Sequence, residues 1–245
     1  MHLDYVHEPV PPLRAVLTEP VVLSVTNYFW LAFIDVALLA LQPLFYATPI
    51  HLGGLGMSPA TIGLCLGIFG LLDGVAQGLV FPQVIRRVGL KKLFVTALFC
   101  FTPLFALFPI INHLARKWGL SPAVWALVVF QLMINCVTEM AFGRWLSLKC
   151  QRYSHCPCRV NPGCSFIYVT SSVMSPRALG SVNGIGQTGA SLARGLGPVV
   201  ATSLFAYTLE NNWLGGLGVY LVLITISLCR MPLAYKLPEK EWEHK

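Results

Sequence analysis

The chain has 245 residues, 56% of them apolar and 11% charged, with 17 Lys and Arg against 10 Asp and Glu. Globular domains carry about 25% charged residues, so this composition, with a mean hydropathy of +0.68, excludes an ordinary soluble protein. The acids crowd the two ends and leave long uncharged stretches between them, which fits neither disorder, nor a nucleic-acid-binding module, nor a disulfide scaffold. The pattern is that of a chain crossing a lipid bilayer several times.

Residues 1–20 hold Pro9, Pro11, Pro12 and Pro20 with mixed charge and no apolar targeting core. They read as a cytosolic linker, and the first apolar run then serves as both signal and anchor. A helix needs about 20 apolar residues to cross the hydrocarbon, and six runs meet or approach that length. In chain order they are 21–46, with Asp35 inside; 59–81, with Asp73; 93–113; 122–143, with Glu139; 181–209, with Arg194; and 213–235, with Arg230 near its end. Interior Pro and Gly are tolerated in such helices because neighbouring groups in the bundle satisfy the freed backbone.

The polar segment 144–163 interrupts this organisation. It carries Cys150, His155, Cys156 and Cys158 and separates two apolar stretches that would join into one helix ending near Val173. It reads as an insertion, with translated intron as one source. The chain therefore divides into the linker 1–20, three spans and most of a fourth over 21–143, the insertion 144–163, the rest of the fourth span with the fifth and sixth over 164–238, and a tail 239–245.

Of the seventeen Lys and Arg, fourteen lie in alternate connections and at the ends, and only Arg116 and Lys117 lie in the others. By the positive-inside rule both termini and the two basic loops face the cytosol. The localisation is then integral, multi-pass membrane, with plasma and vacuolar membranes both open.

Motifs for soluble chemistry fail on context. Gly184-Ile185-Gly186-Gln187-Thr188-Gly189 matches the dinucleotide pattern, but it enters a long apolar run rather than leaving a buried strand. Small residues allowing close helix contact are the better account. Cys150, Cys156, Cys158, Cys164 and His155 do not have the spacing of a zinc finger or ribbon. No metal, no cofactor and no enzyme site is expected. Gly63 and Gly67, and then Gly70, Gly74 and Gly78, form GxxxG steps that permit close backbone approach in lipid, as a static or a sliding contact.

The informative residues are charges within spans. One charge at mid-membrane costs about 2.5–3.5 kcal/mol on insertion scales and normally faces a bundle interior or water. Asp35 shares a helical face with Tyr28 and Gln42, Glu139 continues a stripe with Gln131 and Asn135, and Arg194 lies with Gln187 and Ser191. Asp73 is followed by Gln77, on the span that carries the glycine stripe. Polar seams on several spans suggest a shared hydrated cavity for substrate or protons; the competing reading is structural ion pairing, for example of Arg194 with Glu139 or Asp35.

Together these segments resemble the C-terminal half, helices seven to twelve, of a major facilitator superfamily transporter, on a fungal branch similar to the zinc-induced-facilitator-like proteins of plants. The resemblance rests on Gln42-Pro43-Leu44-Phe45 with the following Gly53-Gly54-Leu55-Gly56, on the basic turn 81–92, and most of all on 179–187 leading into 191–198. It covers nearly the whole chain except 144–163. The superfamily's G-x-x-x-D-R-x-G-R-K loop is altered: Pro82 and Arg86 stand where its first Gly and its Asp would be, while Arg87, Gly89, Lys91 and Lys92 keep its character. The resemblance implies that Arg86, Arg87, Gly89, Lys91 and Lys92 form a cytosolic gate loop.

The fold expected is an all-α bundle of six transmembrane helices in two inverted three-helix repeats. The function expected is secondary transport of a small solute by alternating access, with protons as a candidate coupling ion and an N-terminal half as a missing partner. Asp35, Gln42, Gln131, Asn135, Glu139, Gln187 and Arg194 would bind substrate or protons. The rival class is a non-transporting membrane fragment or interaction scaffold. The partners are the bilayer and the solute, with no nucleic acid.

Overall fold

A computed structural model of the chain describes residues 17–80, 83, 84, 87, 90–139, 169 and 179–237. Six long helices carry the described chain: α1 Glu19–Ala47, α2 Pro59–Leu79, α3 Leu90–Trp118, α4 Pro122–Glu139, α5 Leu179–Glu210 and α6 Gly218–Cys229, the last followed by a short α7, Met231–Tyr235. No strand occurs among the described residues. Five stretches are long and apolar enough to cross a membrane: α1, α2, most of α3, α4, and 218–235 spanning α6 and α7. At 32 residues α5 is the longest helix, but its Gly, Ser, Thr, Gln and Arg make it the least hydrocarbon-like. The protein is an all-helical, multi-pass membrane bundle.

Local sequence sets the helix ends. Pro59 opens α2 behind Ser58, whose Oγ accepts the Thr61 amide at 3.2 Å, a cap that satisfies one orphan amide. At the end of α1, Thr48 Oγ1 donates to the Leu44 carbonyl at 2.7 Å. The chain then folds back so that the amides of Leu55 and Met57 reach the carbonyls of Phe45 and Tyr46 at 3.1 and 2.9 Å. This compact turn needs Gly54, because a Cβ there would overlap the Thr48 carbonyl.

The sixth span begins later than its hydropathy suggests. Residues 213–216 form a tight 3-10 turn in which Asn212, Leu214, Gly215 and Gly216 all take positive φ. The Trp213 ring then packs so closely on Gly218 that no side chain fits there. An α-helix cannot pass through four left-handed residues, so Trp213 belongs to the connection and the span starts at Gly218.

In the packing, α1 lies along α5, α2 more thinly along α4, and α3 against α6, with α3 also against α4. The tightest seam is α1 with α5. On α5 the buried positions are Val182, Gly186, Ala190, Ala193, Gly197, Ala201, Phe205 and Thr208, one face read at steps of three and four. Small residues on that face bring the two backbones together: a Cβ on Gly197 would lie 2.9 Å from the Phe33 carbonyl oxygen. The aromatic core lies on α3, where Phe101, Phe105 and Phe108 stack and Phe108 meets Tyr220 of α6 at 5.5 Å between ring centres.

Helix α2 is the exception, with only 6% of its most apolar window buried. A Cβ added at Gly63, Gly67, Gly70, Gly74 or Gly78 would meet nothing within 4 Å. The close helix contact expected of that stripe is therefore not made within the described chain; the close contact is made by α5. The segment 144–163, with its cysteines and His155, lies outside the described residues, as do 1–16, 140–143 and 238–245.

Candidate transport path

Polar side chains gather in four places among the apolar helices. The first crosses from α1 to α4: Gln42 Nε2 donates to Tyr46 Oη at 3.1 Å, and Tyr46 Oη donates to Gln131 Oε1 at 3.4 Å. All three residues are buried, and Gln131 Nε2 is left with no hydrogen-bond partner. One turn on, buried Asn135 is held by Thr138, whose Oγ1 donates to the Asn135 carbonyl at 2.8 Å. The expected stripe of Gln131, Asn135 and Glu139 on α4 is thus present, and Gln42 joins it through Tyr46, which the sequence did not single out.

The second place lies between α2 and α4. Gln77 Nε2 donates to Asp73 Oδ2 at 2.7 Å, and Asp73 shares the lining of one cleft with Cys136 of α4. An apolar cleft of about 420 Å³, lined by Cys65, Phe69, Asp73, Trp125, Met133 and Cys136 among others, opens there. Asp73 therefore lines the cleft between α2 and α4.

The third place joins α1 and α5. Arg194 Nη2 donates to Tyr28 Oη at 3.4 Å, a tyrosine on the same face of α1 as Asp35. Gln187 and Ser191 lie exposed on the same helix. Gly186 and Gly189 sit mid-helix against Val169 and Phe29, the packing role preferred over a nucleotide loop.

The fourth place was missed. Arg230 is 6% exposed, its guanidinium carbon lies 5.2 Å from the centre of the Phe101 ring, and its Nε and Nη2 have no hydrogen-bond partner. The charge offsetting its burial is that of Asp35 on α1. A cation over an aromatic face gains about 2 kcal/mol or more when desolvated. In the sequence Arg230 sits just before Met231-Pro232 at the end of a span and reads as a flanking charge; only the fold of α7 back onto α3 buries it. Asp35 thus offsets the charge of Arg230, while Arg194 is bonded to Tyr28.

Of the gate-loop residues, Arg87 and Lys92 are exposed and Lys91 half-buried, while Arg86 and Gly89 lie outside the described residues. Among the described residues no three His, Cys, Asp or Glu come together as a metal site.

The chain is similar in sequence to several fungal membrane transporters. The chain is 26% identical over 227 residues to the major facilitator-type transporter psiT2 of Psilocybe cyanescens, covering 88% of this chain and 39% of that protein. It is 27% identical over 206 residues to the major facilitator superfamily multidrug transporter mfsB of Aspergillus fumigatus, covering 80% and 30%. A third relative, the efflux pump azaK of Aspergillus niger, is 28% identical over 185 residues, covering 75% and 35%. Its relatives are fungal major facilitator transporters. The chain spans 30 to 39% of the length of these three relatives. No family model matches it, and no solved structure does.

Proposed function

We propose that the chain forms the C-terminal half of a twelve-helix secondary transporter, moving a small organic solute by alternating access with its termini and basic loops in the cytosol. The observation that carries this is the Gln42–Tyr46–Gln131 line between α1 and α4, set in helices otherwise apolar enough to span lipid. Buried amides with an unfilled donor are costly in hydrocarbon and useful where a solute or water passes. In this reading Asp35 and Glu139 take up protons or bind the solute, Arg194 and Arg230 set their charge balance, and Arg87, Lys91 and Lys92 flank the cytosolic gate. Protonation of an acid removes its desolvation cost in the closed form, which couples a proton gradient to the cycle. Similarity to the multidrug transporter mfsB and the efflux pump azaK favours the outward direction.

The test is dye export from cells stripped of their own exporters. Expression of the chain joined to the N-terminal half of one of its relatives should lower ethidium accumulation several-fold, and a protonophore should restore it; Glu139→Gln in the joined protein should abolish the protonophore effect. Export unchanged in both Asp35→Asn and Glu139→Gln would overturn the role of the acids. The fraction of its relatives' length that this chain spans favours one second reading, a membrane unit that does not transport alone. No export of a panel of cationic, neutral and anionic dyes by the chain expressed alone would support it.

A further inference from the structure

The helices alternate in direction, so the connections 48–58, 119–121 and 211–217 gather at one end of the bundle, where a cavity opens whose lining shares no residue with the polar places described above. It has a volume of about 410 Å³ and lies between the turn after α1, the end of α3 and the start of α6. Its walls carry Arg116, His51 and His113 and no carboxylate; the acid nearest in sequence, Glu210, follows the lining Leu209 and is exposed.

The cationic wall is built rather than incidental. Buried Asn112 donates through Nδ2 to the carbonyls of Ile50 and Gly54 at 3.0 and 2.7 Å, which locks the turn. The Asn112 Oδ1 then accepts from Arg116 Nε at 2.9 Å, and Arg116 Nη2 donates to the His51 carbonyl at 3.2 Å. The guanidinium is thus held at the rim in a fixed orientation. At the floor stand Thr208, fully buried, and Tyr220, 3% exposed, whose hydroxyls have no hydrogen-bond partner. The Tyr220 ring cannot turn away, because it stacks on Phe108. Two buried hydroxyl donors without acceptors, under an oriented guanidinium and with no acid in the wall, ask for a ligand that accepts hydrogen bonds and carries negative charge.

We propose that this cavity binds one oxyanion group, a phosphate or carboxylate, at a site separate from the transport path. The volume admits a small organic anion or the headgroup of an anionic lipid. The guanidinium meets the charge, and the Thr208 and Tyr220 hydroxyls donate to the remaining oxygens.

The purified chain in a phosphate-free maltoside detergent can be titrated calorimetrically with inorganic phosphate and, separately, with dihexanoyl phosphatidic acid. One equivalent of either should bind. Binding of phosphate itself identifies a soluble oxyanion, and binding of the phosphatidic acid alone identifies a lipid headgroup. Arg116→Gln should weaken binding at least tenfold. Tyr220→Phe, which keeps the ring stack and so the fold, should weaken it several-fold. Lys117→Gln, one residue from the wall, should leave it unchanged. No binding of either probe would overturn the proposal, as would equal losses in Lys117→Gln and Arg116→Gln, since that marks diffuse surface charge.

Discussion

Gly197 and Gly70 are both helical glycines in apolar spans, yet they answer to different physics. A Cβ at Gly197 would press on the Phe33 carbonyl, which is backbone and cannot give way, whereas a Cβ at Gly70 meets open space. Gly197→Ala should therefore destabilise the bundle by about 1–3 kcal/mol, the usual range for overpacking. Gly70→Ala should cost nothing and gain up to about 1 kcal/mol of helix propensity. Thermal unfolding of the two variants in detergent, followed by circular dichroism, separates them. Tyr46→Phe tests the polar line in the same way. It removes the hydroxyl that joins Gln42 to Gln131 and should cost about 0.6–1.7 kcal/mol, the span measured for interhelical hydrogen bonds in membranes.

Among the elements, the turn after α1 depends on one side chain. Asn112 ties the carbonyls of Ile50 and Gly54 to α3, so Asn112→Ala leaves two acceptors without their donor and should cost about 1–3 kcal/mol. Protease cleavage within 48–58 should rise in that variant and stay unchanged in Lys117→Gln. Element existence was legible in the sequence, because long apolar runs between basic loops admit few alternatives. The start of α6 was not, because its left-handed turn includes Leu214, which carries no sequence signal for positive φ. Helix pairing was legible only in part. The step pattern of small residues on α5 is visible in the sequence, but so is the glycine stripe of α2, and nothing local says which one meets a neighbour.

The polar residues show the same division for the molecule as a whole. Asp35, Glu139 and Arg194 stand out in sequence because charge is rare in a span. Their partners are harder to read: Tyr28 shows as a neighbour of Asp35 on one face but not as the partner of Arg194, and Arg230 looks like a flanking charge until α7 folds it over Phe101. Asp73 lies on the helix that carries the glycines, yet those glycines find no neighbour within the described chain while Asp73 shares a cleft with Cys136.

The central claim is that the polar seams face water rather than lipid, and it can be tested without knowing the solute. In a background with the native cysteines replaced, single cysteines at Gln187 and Ser191, both exposed on α5, would be probed in membranes with a small impermeant thiol reagent. Phe99 and Leu221, exposed on α3 and α6, serve as lipid-facing references. The account predicts labelling at the two seam positions, at least tenfold faster than at the two references. Equal, slow labelling at all four positions would contradict it, because residues that line a path for a polar solute must be wet.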